Sequence, residues 1–147
     1  MTEPRYIQPD FSLLGEEHVR RYQETDGEVG YLWNGAPILL LTMTGRRSGA
    51  RRTTPLIFGT DGDDHLVVAS MGGAPMHPQW YRNLEADPSA EIQVKAEHIP
   101  VVARTATAEE KPRLWAIMRD IWPNYDVYQS RTERDIPVVV LSRAGDG

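Results

Sequence analysis

The chain has no cysteine, so disulfides and thiolate-bound metals are excluded, and thiol usage says nothing about the redox compartment. Histidine is also scarce. None of the histidines stands four residues from another, which is the spacing of a helical zinc site. We interpret His18, His65, His77 and His98 as surface or packing residues and predict no metal site.

The common catalytic fingerprints are absent as well. No G-x-G-x-x-G segment follows a strand, and there is no G-x-x-x-x-G-K-[ST] loop, so neither a dinucleotide fold nor a P-loop is indicated. No serine lies in a nucleophile elbow, and no pair of acidic residues stands out as a general acid and base.

The sequence also has no long apolar run. The longest one lies around residues 38–41 and is far too short to cross a bilayer. The first ten residues are polar and include two prolines, so a signal peptide is not expected there. A net charge of −5 argues against a nucleic-acid surface. With 147 residues, 40% of them hydrophobic, we expect one cytoplasmic domain over 1–147, with residues 1–10 as an extended arm.

The chain as a whole is acidic, but residues 42–55 carry a local positive charge. Arg46, Arg47, Arg51 and Arg52 lie between two short apolar runs, together with two glycines. Guanidinium groups bind phosphate or carboxylate in pairs of hydrogen bonds, and a glycine-rich turn can form an anion nest. The alternative is a solvated hairpin turn with scattered arginines.

The remaining pattern predicts a mainly β (α+β) domain with about three helices. Strands are predicted at 38–44, 53–60, 66–71, 90–95, 99–107 and 136–142. Helices are predicted at 13–26, at 77–87 and after the capping box at 107–110, while 124–131 is predicted to be a polar, aromatic connector. Hairpin connections predominate, so a small closed or nearly closed antiparallel barrel of six strands is expected.

Aromatic residues concentrate in the second half of the chain. Those at helical spacing, such as Trp115, are more typical of a core than of a cofactor site. Tyr125 and Tyr128 differ, since they fall in the predicted connector, where a hydroxyl can donate to a ligand. An anion turn, glycines at 72–73 for close approach and these tyrosines together favour a flat, anionic redox cofactor.

Five ordered segments carry a resemblance to a known family. They are LLLTMTGRRSG (39–49), RTTPL (52–56), ASMGGAP (69–75), HPQWYRNL (77–84) and WPNYDVYQ (122–129). The chain resembles the deazaflavin-dependent nitroreductase family, actinobacterial reductases that use coenzyme F420, over about residues 18–141. The resemblance implies a split β-barrel related to flavin-reductase and FMN-binding proteins.

The resemblance also implies site residues. The basic turn would bind the phosphate and oligoglutamate tail, and the segments after it would line the deazaflavin. Tyr125 would lie at the reacting face, and Tyr128 beside the substrate space. The implied cofactor-binding residues, besides Tyr125, are Arg46, Arg47, Ser48, Arg52, Thr53, Thr54, Pro55, Leu56, Ile57, Val68, Ala69, Ser70, Met71, Gln79, Trp80, Tyr81, Arg82 and Asn83.

Three positions depart from the family pattern. Met71 replaces a lysine that is usual in the family, so the preferred length of the oligoglutamate tail is left open. Arg82 replaces a residue that is usually apolar. Trp122 replaces a tyrosine of the best-known nitroreductase, and its larger ring would narrow the acceptor pocket. Because of Trp122, nitroimidazole reduction is not assumed. The resemblance as a whole implies hydride transfer from reduced coenzyme F420 to a quinone, enone or nitro compound.

Two alternatives stay open: a non-catalytic F420 carrier, and an FMN-binding oxidoreductase of the same fold. The helix at 13–26 is expected to pack on the sheet, with peripheral membrane contact as the alternative. No nucleic-acid partner is expected, and the sequence leaves the oligomeric state open.

Overall fold

The computed structural model describes residues 6, 8–10 and 12–144. Its elements, in chain order, are α1 (Gly15–Thr25), β1 (Leu32–Trp33), β2 (Ala36–Thr44), β3 (Arg51–Ile57), β4 (Gly59–Asp61), β5 (Asp64–Val68), α2 (Gln79–Ala86), β6 (Ser89–Val94), β7 (Glu97–Thr105), α3 (Lys111–Ile121), α4 (Asn124–Ser130) and β8 (Val138–Arg143). A 3₁₀ turn, Met71–Gly73, lies between β5 and α2.

The strands form one antiparallel sheet in the order β1-β2-β6-β7-β8-β5-β4, with β3 paired to β2. Because β3 pairs with β2, next to one end of this path, while β4 is the last strand at the other end, the sheet curls on itself. Its two ends are joined through Phe58, whose N–H donates to the carbonyl of Pro37 at 3.1 Å. This curl places the turn after β2 and the end of β5 beside one groove.

The described residues contain eight strands, so the predicted number of six is wrong. The predicted strand 53–60 is divided at Phe58 into β3 and β4, and only β4 pairs with β5 as expected. A Cβ on Gly59 would lie 2.8 Å from the sulfur of Met118, so this glycine allows α3 to pack against the bend. The other added strand, β1, has two residues.

Both faces of β2 are covered, which explains its continuous apolar sequence. Leu39 and Leu41 lie inside the curled sheet, in the main core. Leu40 packs outward against Tyr22 of α1, whose hydroxyl donates to the carbonyl of Ile38 at 2.9 Å. Helix α1 therefore packs on the sheet, as predicted, with His18 and Tyr22 as its buried residues.

The segment 124–131 forms helix α4, so its prediction as a connector is wrong. Pro123 follows α3, as predicted, but it also occupies the residue directly before the next helix. Helices α3 and α4 cover the outer face of β5 and β8 with a second apolar cluster that includes Leu114, Met118 and Tyr125. The helix count is accordingly four α-helices among the described residues, against three expected.

Within the described residues, no helix is long and apolar enough to span a membrane. Of the predicted arm at 1–10, residues 1–5 and 7 lie outside the described residues. Asp10 is held to the β1–β2 turn: its N–H donates to Asn34 Oδ1 at 2.7 Å, and Asn34 Nδ2 donates back to its carbonyl at 3.0 Å.

Candidate functional site

The basic turn between β2 and β3 is closed by its own backbone. The N–H of Gly45 donates to the carbonyl of Ala50 at 2.7 Å, and the N–H of Gly49 donates back to Gly45 at 2.8 Å. Gly49 has a φ of 74°, a conformation that favours glycine. The turn therefore presents its arginines from a fixed backbone.

Arg46 is held by helix α2. Its guanidinium donates to Asn83 Oδ1 at 2.9 Å and to Gln79 Oε1 at 2.8 Å, and its backbone N–H also reaches Asn83 Oδ1 at 3.2 Å. These amides accept from the two terminal nitrogens of the guanidinium without neutralising its charge. Arg46 thus joins the turn to α2 and fixes the distance between the two walls of a cavity.

Arg47 and Arg52 are exposed, and within the described residues neither side chain has a hydrogen bond or ion pair with the protein. Both line a cavity of about 450 Å³ between the turn and α2. Its described lining consists of Met43, Gly45, Arg46, Arg47, Ser48, Arg52, Thr53, Thr54, Gln79, Trp80 and Asn83. An anion can therefore meet unpaired guanidinium groups there.

A second cavity of about 430 Å³ adjoins the first, since Gln79 and Trp80 line both. Its described lining is mostly apolar and aromatic: Leu14, Gly15, His18, Trp33, Ile38, Pro55, Leu56, Ile57, Val68, Ser70, Met71, Gly72, Pro78, Gln79, Trp80, Trp122, Tyr125 and Tyr128. We call the first cavity the cationic half and the second the aromatic half of one groove.

The 3₁₀ turn after β5 forms one wall of the aromatic half. Met71 is half exposed and has a φ of 47°, which is unusual for a residue with a side chain. A Cβ on Gly72 would meet nothing within 4 Å, whereas one on Gly73 would lie 2.6 Å from the carbonyl oxygen of Tyr128. Gly72 therefore allows close approach of a ligand, as predicted for both glycines, while Gly73 instead allows close approach of α4.

Tyr125 is buried on α4, not placed in a polar loop, and 4% of its surface is exposed. Burial raises the pKa of Tyr125, so its hydroxyl stays protonated throughout the neutral range. That hydroxyl has no hydrogen-bond partner among the described residues. The Tyr128 hydroxyl, in contrast, accepts a long hydrogen bond from Trp122 Nε1 at 3.4 Å.

Most of the predicted site residues line the groove, but three do not. Ala69 is fully buried in the main core, and Tyr81 points the same way, with its hydroxyl 2.7 Å from Thr105 Oγ1. Arg82 is exposed on α2 outside both cavities. Helix periodicity explains Tyr81 and Arg82. Trp80 and Asn83, three residues apart, share the face of α2 toward the groove, and the two residues between them point elsewhere.

The sequence did not identify several lining residues as site residues. They are Leu14, Gly15, His18, Trp33, Ile38, Met43, Gly45 and Pro78. His18 is buried, and its Nε2 lies 2.8 Å from the carbonyl of Gly30, which makes Nε2 the protonated nitrogen. The one available signal was the position of His18 four residues before Tyr22, on the buried face of α1.

No group of three or more histidine, aspartate or glutamate side chains that could hold a metal occurs among the described residues. A groove with a cationic half and an aromatic half fits a cofactor that combines a flat ring with an anionic tail. The fold and this groove thus define a small mainly β protein that binds a redox cofactor.

Comparison with known proteins gives the family. The model of the F420H(2)-dependent quinone reductase family matches residues 14–143. An F420H(2)-dependent quinone reductase of Mycobacterium tuberculosis is 45% identical over 130 residues, covering 86% of this chain and 87% of that protein. The chain therefore belongs to the F420H(2)-dependent quinone reductase family. It is an F420-dependent reductase, and coenzyme F420 is its cofactor.

Two solved structures support the same family assignment. A structure described as an F420-H2 dependent reductase (FDR-A) is 37% identical, with a TM-score of 0.68, covering 72% of this chain and 94% of that one. Another, described as a domain-swapped dimer, is 35% identical, with a TM-score of 0.70, covering 84% and 96%. The prediction of the family from the sequence motifs is confirmed.

Proposed function

We propose that the protein delivers a hydride from reduced coenzyme F420 to a quinone bound in the aromatic half of the groove. When bound, the reduced deazaflavin supplies the hydride. The observation that carries the proposal is that the cationic and aromatic halves of the groove adjoin. They meet at Gln79 and Trp80, so one elongated molecule can contact both.

In the cationic half, Arg47 and Arg52 would bind the phosphate and carboxylate groups of the cofactor tail, with Ser48 as a further donor. Arg46 would keep the walls apart through its contacts with Gln79 and Asn83. In the aromatic half, Pro55, Leu56 and Ile57 on β3 and Trp80 on α2 would hold the ring. Their apolar surface would exclude water from the reacting atoms.

Tyr125 is the proposed hydrogen-bond donor to the acceptor. Hydride addition leaves negative charge on a quinone oxygen, and this oxygen needs a donor and then a proton. The burial that raises the pKa of Tyr125 keeps its proton in place, and the hydroxyl has no competing partner among the described residues. A well-placed donor to a developing oxyanion is worth about 10²–10³ in rate.

The test is Tyr125→Phe, with Tyr128→Phe as the matched control on the same helix. Oxidation of reduced coenzyme F420 with menadione is followed by absorbance, and cofactor binding is titrated separately. We expect turnover to fall at least about tenfold in Tyr125→Phe, with little change in cofactor affinity. A lost cofactor affinity with preserved turnover would make Tyr125 a binding residue only.

Enones and nitro compounds are proposed as secondary acceptors. Trp122 is buried in the wall of the aromatic half and packs against Trp33, with ring centroids 5.5 Å apart. This pair limits the width available to a substituted acceptor. We expect Trp122→Tyr to raise kcat/KM for bulky nitro compounds more than for menadione, and equal changes would contradict this role.

The carrier and FMN alternatives make different predictions. A carrier binds coenzyme F420 without menadione-dependent oxidation of it. An FMN protein would be purified yellow, with flavin fluorescence. We do not propose FMN as the cofactor, because the unpaired arginines suit a tail that carries several anionic groups. We do not propose a carrier, because the matching family and its relatives are named as quinone reductases.

We further propose that the whole chain, 1–147, is one domain, and that the curled sheet is a split barrel of the flavin-reductase type. The support is the path from β3 to β4, two consecutive pieces of chain that pair with opposite ends of the sheet. A single cooperative unfolding transition, seen equally by fluorescence and circular dichroism, tests the single domain.

Peripheral membrane contact is proposed at the mouth of the groove, where a lipid-soluble quinone would enter. Leu14 and Met71 line the aromatic half and are 49% and 51% exposed. The rest of α1 favours water, since Glu17 forms ion pairs with Arg20 and Arg21. Sedimentation with phosphatidylcholine vesicles tests this contact, and Leu14→Ser should reduce it.

A further inference from the structure

The loop before β8 carries an arginine that contacts neither cavity yet holds one wall of the aromatic half. Arg134 Nη2 donates to the carbonyls of Ala69 at 3.2 Å and Ser70 at 2.8 Å, and its Nε donates to the carbonyl of Ala74 at 2.8 Å. Its Nη1 lies 3.0 Å from His77 Nδ1. One guanidinium therefore spans the entire wall from the end of β5 to the start of α2.

The same arginine is fixed to the helix that carries the tyrosines. Gln129 of α4 donates through Nε2 to the carbonyl of Arg134 at 2.8 Å and accepts through Oε1 from the N–H of Ile136 at 3.0 Å. From the other side, Gly73 packs against the carbonyl of Tyr128. The wall and α4 are thus joined twice, once by backbone contact and once through Arg134.

Arg134 has no ion pair with the described residues, and partial burial lowers its pKa. Carbonyl dipoles, not a carboxylate, compensate its charge. An arginine retained in such a place has a geometric task, because a planar fork with five donors is needed to bind three carbonyls and an imidazole at once.

We propose that Arg134 is a positioning residue for the reductase, holding residues 69–74 against α4, and that neutral His77 is the acceptor on which this clamp depends. The inference rests on the proposed function, in which that wall and Tyr125 enclose the acceptor. An ammonium group in place of the guanidinium cannot make the same set of contacts.

His77 makes the clamp sensitive to acid. Its Nδ1 can accept from Arg134 only while unprotonated, since protonation would place two donors and two positive charges face to face. Burial first, then the charges of Arg134 and Arg82, lower the pKa of His77 below its usual 6.5, against the opposing effect of Glu85. The clamp is therefore complete above pH 6.5 and is lost as the pH falls through the lowered pKa.

The first experiment compares Arg134→Lys with Arg143→Lys, an exposed arginine of β8 paired with Glu97. Hydrogen–deuterium exchange of residues 69–77 is measured with kcat and KM for menadione. We expect faster exchange and at least a fivefold lower kcat/KM in Arg134→Lys, and neither change in Arg143→Lys. Faster exchange with unchanged kcat/KM would overturn the positioning role, as would unchanged exchange.

The second experiment compares His77→Asn with His98→Asn, an exposed histidine paired with Glu91. Asparagine retains an acceptor near the position of Nδ1 but does not titrate. We expect the acid limb of kcat/KM to disappear in His77→Asn and to persist in His98→Asn. An acid limb that persists in His77→Asn would overturn the role of His77. If the wild-type protein does not reduce menadione, the proposed function fails, while the exchange measurement still decides whether Arg134 holds the wall.

Discussion

Removal of Arg52 is the sharpest test of the cationic half, because its neighbour in sequence provides the control. Arg51 and Arg52 are both exposed on β3, and consecutive side chains of a strand point to opposite faces. Arg52 lines the cavity, while Arg51 donates to Thr44 Oγ1 at 3.1 Å outside it. Arg52→Ala and Arg51→Ala therefore remove the same charge from opposite sides of one strand.

The magnitude follows from the contacts that each arginine can make. A hydrogen bond to a charged group is worth about 1.5–3 kcal/mol. Since each 1.4 kcal/mol is about a factor of ten in Kd, Arg52→Ala should weaken binding of coenzyme F420 roughly tenfold to a hundredfold. Arg51→Ala removes only distant, screened attraction and should change Kd about twofold or less at physiological salt.

Fluorescence titration of coenzyme F420 at low and high salt measures both variants, and thermal unfolding checks that both stay folded. Neither Arg51 nor Arg52 is buried, so we expect a change in unfolding free energy within about 0.5 kcal/mol. Equal weakening by the two variants would show that only net charge matters. Unchanged affinity in Arg52→Ala would support the alternative interpretation of the basic turn as a solvated hairpin.

Three further predictions concern the reductant, the wall of the aromatic half and the hydrogen-bond donor Tyr125. Without coenzyme F420, purified protein and menadione should not oxidise NADPH, and steady oxidation would contradict the cofactor assignment. Gly73→Ala should lower the unfolding free energy by about 1–3 kcal/mol in urea, because φ is 85° and the new Cβ would meet the Tyr128 carbonyl at 2.6 Å. Because the pKa of Tyr125 is raised, kcat should show no loss from its ionisation up to about pH 10. A basic limb in kcat that Tyr125→Phe removes would contradict this.

Features set by local sequence were predicted well. The capping box forms as expected: the Thr107 N–H donates to Glu110 Oε1 at 2.9 Å, and the Glu110 N–H donates to Thr107 Oγ1 at 3.3 Å. The continuous apolar run became β2, and the glycine-flanked arginines became a closed turn. In each case the decisive contacts lie within a few residues, so the sequence contains them directly.

Helix α4 was missed because its stabilising contacts are distant in sequence. Its residues are polar and aromatic, and a proline precedes it, so neither periodicity nor propensity indicated a helix. Burial of Tyr125 and Val127 against elements from elsewhere in the chain stabilises the helix instead. Arg134 was missed for the same reason, since all its acceptors lie about sixty residues away.

The division of the groove follows from the cost of burying charge. Arg47 and Arg52 lie at the exposed end, where an arginine without a partner keeps its hydration until a ligand arrives. At the buried end an unpaired charge would be expensive, and the proposed donor is a neutral phenol whose pKa is raised by the same burial. Charge recognition of the tail and hydrogen-bond donation to the acceptor therefore need opposite environments. A curled sheet with a solvent-facing turn at one end and a helix-covered face at the other provides both within one groove.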